Sequence, residues 1–310
     1  MTSSKQARVL DTRLQYIGMA QIATAALLWG TVGVVVGFLY TTSPLNASLI
    51  SFYRMSLAVP ALCAVLGYQR RTTYSYHVTR KIRLHTHRRD SLLTLLMGVI
   101  LALYQLFYVI AIDHLGVAIA TLVTLCSGPV FVALLSWLIL RERLTGKILA
   151  ALGLALTATA LLSQPSGVVT NLGLGLVFAT SSGLGYALVT LSGRHLAQRY
   201  PPLQTTTLMV TTASLTLLVP AWRSGLTDIN LAYHHWLLLA YLGALPTAAA
   251  YSLFVTGMRH VATTSASIIT LLEPLTATVL AWLFLAERLA ATSLVAALLF
   301  VLALILLAAG

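Results

Sequence analysis

Long apolar runs alternate with short polar segments along the whole chain. Ten can be marked, at about 17–39, 47–67, 92–112, 117–140, 147–163, 172–193, 203–222, 235–256, 261–285 and 291–309. A helix rising about 1.5 Å per residue needs roughly 20 apolar residues to cross a bilayer, and these runs supply them; the fifth, the shortest, is at the lower limit. The pattern predicts an all-α integral membrane protein of ten transmembrane helices. One polar connection is long, Tyr68 to Ser91.

The chain also repeats itself, a feature to settle before any other reading. Pro129, Trp137, Glu142, Arg143 and Leu144 recur at the same spacing as Pro274, Trp282, Glu287, Arg288 and Leu289. One position breaks the match, because Gly128 stands where the second copy has Glu273. The repeat divides the chain into residues 1–163 and 171–310, joined across Ser163–Asn171, where Pro165 and Gly167 are turn residues. Five spans per half is an odd number, so the second half runs through the membrane upside down. Such an inverted repeat has a pseudo-two-fold axis in the membrane plane, a geometry that transporters use for alternating access.

Composition sharpens the class. Residues are 58% hydrophobic and 8% charged, against about 25% charged in soluble domains, too few to cover a water-facing surface. The net charge of +12 would suggest nucleic acid in a soluble protein, but here the basic residues lie between apolar runs. With the N-terminus inside, sixteen of the 19 Lys and Arg fall in inside segments, Arg223 and Arg288 fall outside, and Arg54 lies within a span. The positive-inside rule then places both termini of a multi-pass protein in the cytoplasm; the expected location is a bacterial cytoplasmic membrane. The expected partners are membrane lipids and a small-molecule substrate, not nucleic acid, with the chain a monomer or a weak homodimer. The run after Lys5, Arg8 and Arg13 is too long for a cleavable signal and reads as a first helix. The basic connection 68–91 suits either anionic head groups or plain solvation. Its His77, His85 and His87 are too irregular for a metal site, and Cys63 and Cys126, both in apolar runs, make neither a disulfide framework nor a metal motif.

No catalytic constellation, metal spacing or phosphate loop is visible, so neither an enzyme nor a cofactor is expected. Ionisable residues inside a membrane span are costly and are functional candidates by default. Glu273 lies about 12 residues into its span, roughly 18 Å from the inner face, and Arg54 lies roughly 10 Å below the outer face. Aligning Pro60 with Pro220 sets Ser214 opposite Arg54, so each half carries one charge that the other lacks. Glu273 reads as a proton carrier, as a counter-charge to a cationic substrate group, or as an acid bonded to a carbonyl freed by Pro274. Arg54 reads as a substrate contact or as a side chain snorkelling to the outer interface. Trp137, Trp222, Trp236 and Trp282 stand near span ends like belt residues. Trp29, Tyr104, Tyr108, Tyr186 and Tyr251 lie deep in their spans. Together with Arg54 and Glu273 they make a candidate substrate cavity, with apolar walls and few polar groups. Glycines in the first and sixth spans, among them Gly33, Gly37, Gly183 and Gly185, suit close helix packing.

These features together resemble the EamA family of the drug/metabolite transporter superfamily. The resemblance rests on Leu27-Leu28-Trp29-Gly30, Tyr53-Arg54, Tyr104 to Ala111, Pro129 to Leu144, and Glu273-Pro274 through Leu289. It implies two inverted five-helix repeats around a central cavity and secondary transport of small metabolites, commonly outward. Amino acids or related amines are the expected class, with Glu273 the coupling residue. A membrane receptor or subunit that binds a small ligand without moving it is the alternative.

Overall fold

The computed structural model describes residues 2–74, 88–115, 117–162, 171–226, 231–285 and 291–308. The turn residues Pro165 and Gly167, His77, His85 and His87, and Glu287 to Leu289 lie outside these. Twelve helices are described: α1 (Thr2–Thr42), α2 (Ala47–Tyr74), α3 (Arg88–Leu115), α4 (Val117–Leu135), α5 (Gly146–Leu162), α6 (Leu172–Arg199), α7 (Pro202–Arg223), α8 (Tyr233–Leu242), α9 (Ala250–Gly257), α10 (Thr263–Ile269), α11 (Leu272–Leu285) and α12 (Ala291–Ala308). They make ten spans. A π-helical turn, Gly243–Ala249, joins α8 and α9 into the eighth span, while α10 and α11 are the two pieces of the ninth. A second π-helical turn, Ser136–Leu140, ends the fourth.

Prolines explain both irregular spans. Pro246 has no N–H to give to the carbonyl of Leu242, and the Thr247 hydroxyl donates to that oxygen instead, at 2.8 Å. Pro274 likewise frees the carbonyl of Thr270. Here the chain breaks: Thr270 and Leu271 form a turn, and the backbone N–H of Glu273 donates to Thr270 O at 3.0 Å. Pro274 then occupies the first turn of α11, where a missing N–H costs nothing. The carbonyl freed by the proline is therefore satisfied by main chain and does not need the Glu273 carboxyl.

The two inverted five-helix repeats interlock. The third span packs on the sixth and seventh, and the eighth packs on the first and second; the fourth packs on the sixth, and the ninth on the first. Each contact maps onto its mate when five is added to or subtracted from the span number. The second and seventh spans, and the fifth and tenth, are their own mates. Gly98 and Gly243, at equivalent repeat positions, serve mated contacts: a Cβ would lie 2.6 Å from Met209 O at the first and 3.0 Å from Ala58 N at the second. Threonine hydroxyls inside the spans are mostly returned to their own helices, as in α7, where Thr207, Thr211 and Thr216 each donate to the carbonyl four residues back. Large apolar side chains such as Leu298, Leu215 and Val219 stay exposed, as a lipid-facing surface requires.

A comparably close backbone approach joins α1 to α9. A Cβ on Gly257 would sit 2.6 Å from the carbonyl oxygen of Gly18, whereas one on Gly37 would meet nothing within 4 Å. Gly257→Ala is therefore expected to destabilise the protein by about 1–3 kcal/mol through overpacking, and Gly37→Ala to change it by less than about 0.5 kcal/mol. Thermal unfolding of both variants in detergent checks this; equal melting temperatures would contradict it.

Candidate functional site

Most of the deep residues singled out in the sequence are brought together midway along the bundle. Tyr104 on α3 and Tyr251 on α9 share a hydrogen bond of 2.9 Å between their hydroxyls. The Tyr251 ring meets Trp29 of α1 edge-on at 5.2 Å, and the Phe254 ring lies tilted against the same indole at 5.3 Å. Tyr186 on α6 shares a 2.8 Å bond with Thr270 in the break of the ninth span, and Tyr108 shares a 2.6 Å bond with Thr121 of α4. Glu273 lies near Arg54, Tyr108, Tyr186 and Tyr251, and Arg54 lies near Tyr104 and Tyr251. Arg54 and Glu273 form no direct ion pair. Arg54, Tyr104, Tyr108, Tyr186 and Glu273 keep partial exposure although they share one mid-span region with core residues. Two donors there, Trp29 Nε1 and Arg54 Nε, are buried with no protein partner. Arg54 thus lies near Tyr104 and Tyr251 with its Nε buried.

Small residues shape this space. Gly30 lets α1 approach the ninth-span break, where a Cβ would lie 2.8 Å from Glu273 O. Gly183 and Gly185 do the same for α6 against α4 and α3; a Cβ at 185 would lie 2.6 Å from Tyr104 Cβ. Gly128, the counterpart of Glu273, is covered by Tyr186, whose Cδ1 would be 3.0 Å from an added Cβ. The mismatch at this position of the repeated motif thus has a physical reason. A ring fills on one side the place that a carboxylate takes on the other.

One end of the bundle is tied shut by polar contacts between the halves. The carboxylate of Glu142, just beyond the π-helical turn, accepts from the N–H of Thr263 at 2.9 Å, from the N–H of Thr264 at 3.3 Å and from the Thr264 hydroxyl at 3.0 Å. An acid from the first half therefore caps α10 in the second, where free N–H groups and the helix dipole favour negative charge. Ala262, the residue before α10, offers no side-chain cap of its own. Arg194 stands 3.7 Å from Glu142 and donates to the carbonyls of Met258 and Val261. Arg259 donates to Ala197 O and Tyr200 O, both at 2.7 Å, and the Tyr200 hydroxyl donates at 2.7 Å to Asp90, which also pairs with Arg199. These residues are the ones that charge counting assigns to the cytoplasm. α10 packs on α4, α1, α5 and α6, and α11 chiefly on α1, with α5 and α12 beside it.

The model of the EamA-like transporter family matches residues 16–164 and 173–309. The chain belongs to this family. The EamA protein is 27% identical to the uncharacterized transporter YwfM of Bacillus subtilis (strain 168), over 88% of its own length and 87% of the relative's. It is 26% identical to the uncharacterized inner membrane transporter YicL of Salmonella typhimurium (strain LT2), over 86% and 87% of the two chains. A solved crystal structure shares the fold, with a TM-score of 0.75 at 20% identity, covering 95% of this chain and 96% of that one. The protein is thus a transporter of the drug/metabolite superfamily, and the family is not one of enzymes.

Sequence reasoning missed several partners in this EamA protein. Thr121 and Thr270 were among many threonines, and only the fold shows that they meet tyrosines. Glu142 stood out as a repeat mark, not as a cap, because its partners lie 121 and 122 residues away. Trp137, Trp222 and Trp236 are exposed, as belt residues would be; the Trp282 side chain is not among those described. Glu142→Gln keeps the shape but loses the charge that favours the α10 N-terminus. Amide hydrogen exchange at Thr263 and Thr264 should accelerate by roughly 5- to 30-fold, a loss of about 1–2 kcal/mol at a cap. Exchange at wild-type rates, read by mass spectrometry on peptides spanning α10, would remove Glu142 from this role.

Proposed function

We propose that this EamA protein exports small amphipathic metabolites, amino acids or related amines, across a bacterial cytoplasmic membrane by alternating access. The reading rests on one observation: Arg54 and Glu273, one from each half, lie mid-span beside hydrogen-bonded tyrosines and form no ion pair with one another. A zwitterion complements both. Its carboxylate suits the planar guanidinium fork of Arg54, and its ammonium suits Glu273. Trp29, Tyr104, Tyr108, Tyr186 and Tyr251 supply apolar walls with hydroxyls at fixed points, and their ring faces also attract an ammonium. A charge in the membrane interior costs several kcal/mol without a partner, so a ligand bringing both charges offsets two costs at once.

In this mechanism residues 1–163 and 171–310 are the two moving repeats, and both termini are cytoplasmic. The Glu142 cap on α10 holds the cytoplasmic end closed while the space faces outward; its release opens that end. Glu273 carries the coupling proton. Main chain already satisfies the carbonyl that Pro274 frees, so the carboxyl is available for protons and substrate. It takes a proton when the space faces outward and gives it up when the space faces inward, and the substrate moves the other way.

Flux in proteoliposomes tests the reading. A panel of labelled amino acids and amines should include at least one that the wild type moves, and a folded protein that moves none overturns it. Glu273→Gln should insert, fold and exchange substrate, yet fail to accumulate it against a gradient when driven by pH; accumulation at the wild-type level would place coupling elsewhere. Arg54→Lys should raise KM by about tenfold or more, because an ammonium does not reproduce the fork. An unchanged KM would take Arg54 out of the substrate site.

A further inference from the structure

A second site lies away from the central space, at the cytoplasmic end of the fourth span. A cavity of about 590 Å³ is lined by Trp137, Leu138, Arg141, Glu142, Arg143 and Leu144. In sequence, Arg141-Glu142-Arg143 looks nearly self-neutralised. In the structure it is not. Both carboxylate oxygens of Glu142 are engaged by α10, and Arg194 stands beside them. The guanidinium groups of Arg141 and Arg143 make no ion pair or hydrogen bond with a described residue and remain as excess positive charge on the cavity.

The backbone here is unusual as well. Arg141 has a φ of 54°, the only positive value among the described non-glycine residues. Its N–H and that of Glu142 both donate to Ser136 O, which closes the π-helical turn. A bulky residue in the left-handed region is uncommon and marks a place where the surroundings demand that conformation. The turn brings two guanidinium groups and the Glu142 carboxylate to one cavity while the carboxylate serves α10. On the lipid side of the same cavity Trp137 and Leu138 are 56% and 65% exposed, and Ile139 beside them is 60% exposed. Excess positive charge at the membrane surface, an indole at head-group level and apolar side chains leading into the hydrocarbon together describe one kind of ligand.

We propose that this cavity binds the phosphodiester head group of an anionic phospholipid, with the phosphate on Arg141 and Arg143 and the acyl chains along Leu138 and Ile139. Two guanidinium forks match phosphate oxygens. By its position the lipid would brace the α4 end that carries the Glu142 cap.

The test is native mass spectrometry of the delipidated full-length protein, titrated with dioleoyl phosphatidylglycerol or dioleoyl phosphatidylcholine. One phosphatidylglycerol should be held selectively over phosphatidylcholine. The double variant Arg141→Gln/Arg143→Gln should bind phosphatidylglycerol about 30-fold more weakly, at about 1 kcal/mol per basic residue; each single variant should lose about fivefold and serves should the double variant fold poorly. Arg88→Gln/Arg89→Gln, at the start of α3 on the same face, should leave binding unchanged. Equal retention of the two lipids overturns the proposal. So does an equal loss in the two double variants, which would mean diffuse surface charge. Displacement of the lipid by an equal concentration of inorganic phosphate would make the cavity a general anion site and overturn the lipid assignment.

Discussion

A bilayer core has no water to hydrogen-bond a stranded polar group, and this fold is organised by that lack. Threonine hydroxyls in α7 return to their own helix. Where Pro246 removes a donor, Thr247 supplies one; where Pro274 does so, the chain breaks and the Glu273 N–H closes the gap. At the centre, Arg54 Nε and Trp29 Nε1 stay unpartnered, and the Glu273 carboxyl takes no hydrogen bond from a described residue. Other buried polar atoms, such as Gln105 Nε2 and Thr206 Oγ1, also lack a partner, so it is the ionisable Arg54 and Glu273 at this depth that stand out.

The break in the ninth span gives those open groups their geometry. A continuous helix would carry Glu273 in mid-helix, remote from free N–H groups. The break instead sets it in the first turn of α11, where the helix dipole favours a negative charge, and sets Thr270 in the turn before it, within reach of Tyr186. Discontinuous helices with a terminus near mid-membrane are a recurrent way for transporters to build a polar site in hydrocarbon. Gly30 is the counterpart of this arrangement on α1, since any larger residue would push that helix off the break.

Much of this was legible in the sequence. Span number follows from run length, inversion from an odd number of spans per half, and the deep ionisable and aromatic residues from their distance to the span ends. The breaks were less legible. In a soluble helix, periodicity shows which face is buried and where the pattern ends. Within a span nearly every position is apolar, so the Thr270–Leu271 turn and the Gly243–Ala249 turn leave no mark beyond a proline that α4 carries in mid-helix at Pro129 without breaking. The inward setting of Arg54 was open for the same reason, because depth is readable from a run and orientation is not. The work of Glu142 was hidden because the groups that donate to it belong to the other repeat.

The covering of Gly128 by Tyr186 has a thermodynamic consequence. Two identical inverted repeats would interconvert between states related by the two-fold axis and equal in free energy, and neither would be a resting state. Every place where the halves differ lifts that degeneracy, and a glycine under a ring opposed to an acid in a helix break is one such difference. A two-state equilibrium moves only as far as the differential free energy applied to it, about 1.4 kcal/mol for each factor of ten. Residues 128 and 273 are one pair of positions at which this family member's halves depart from equivalence.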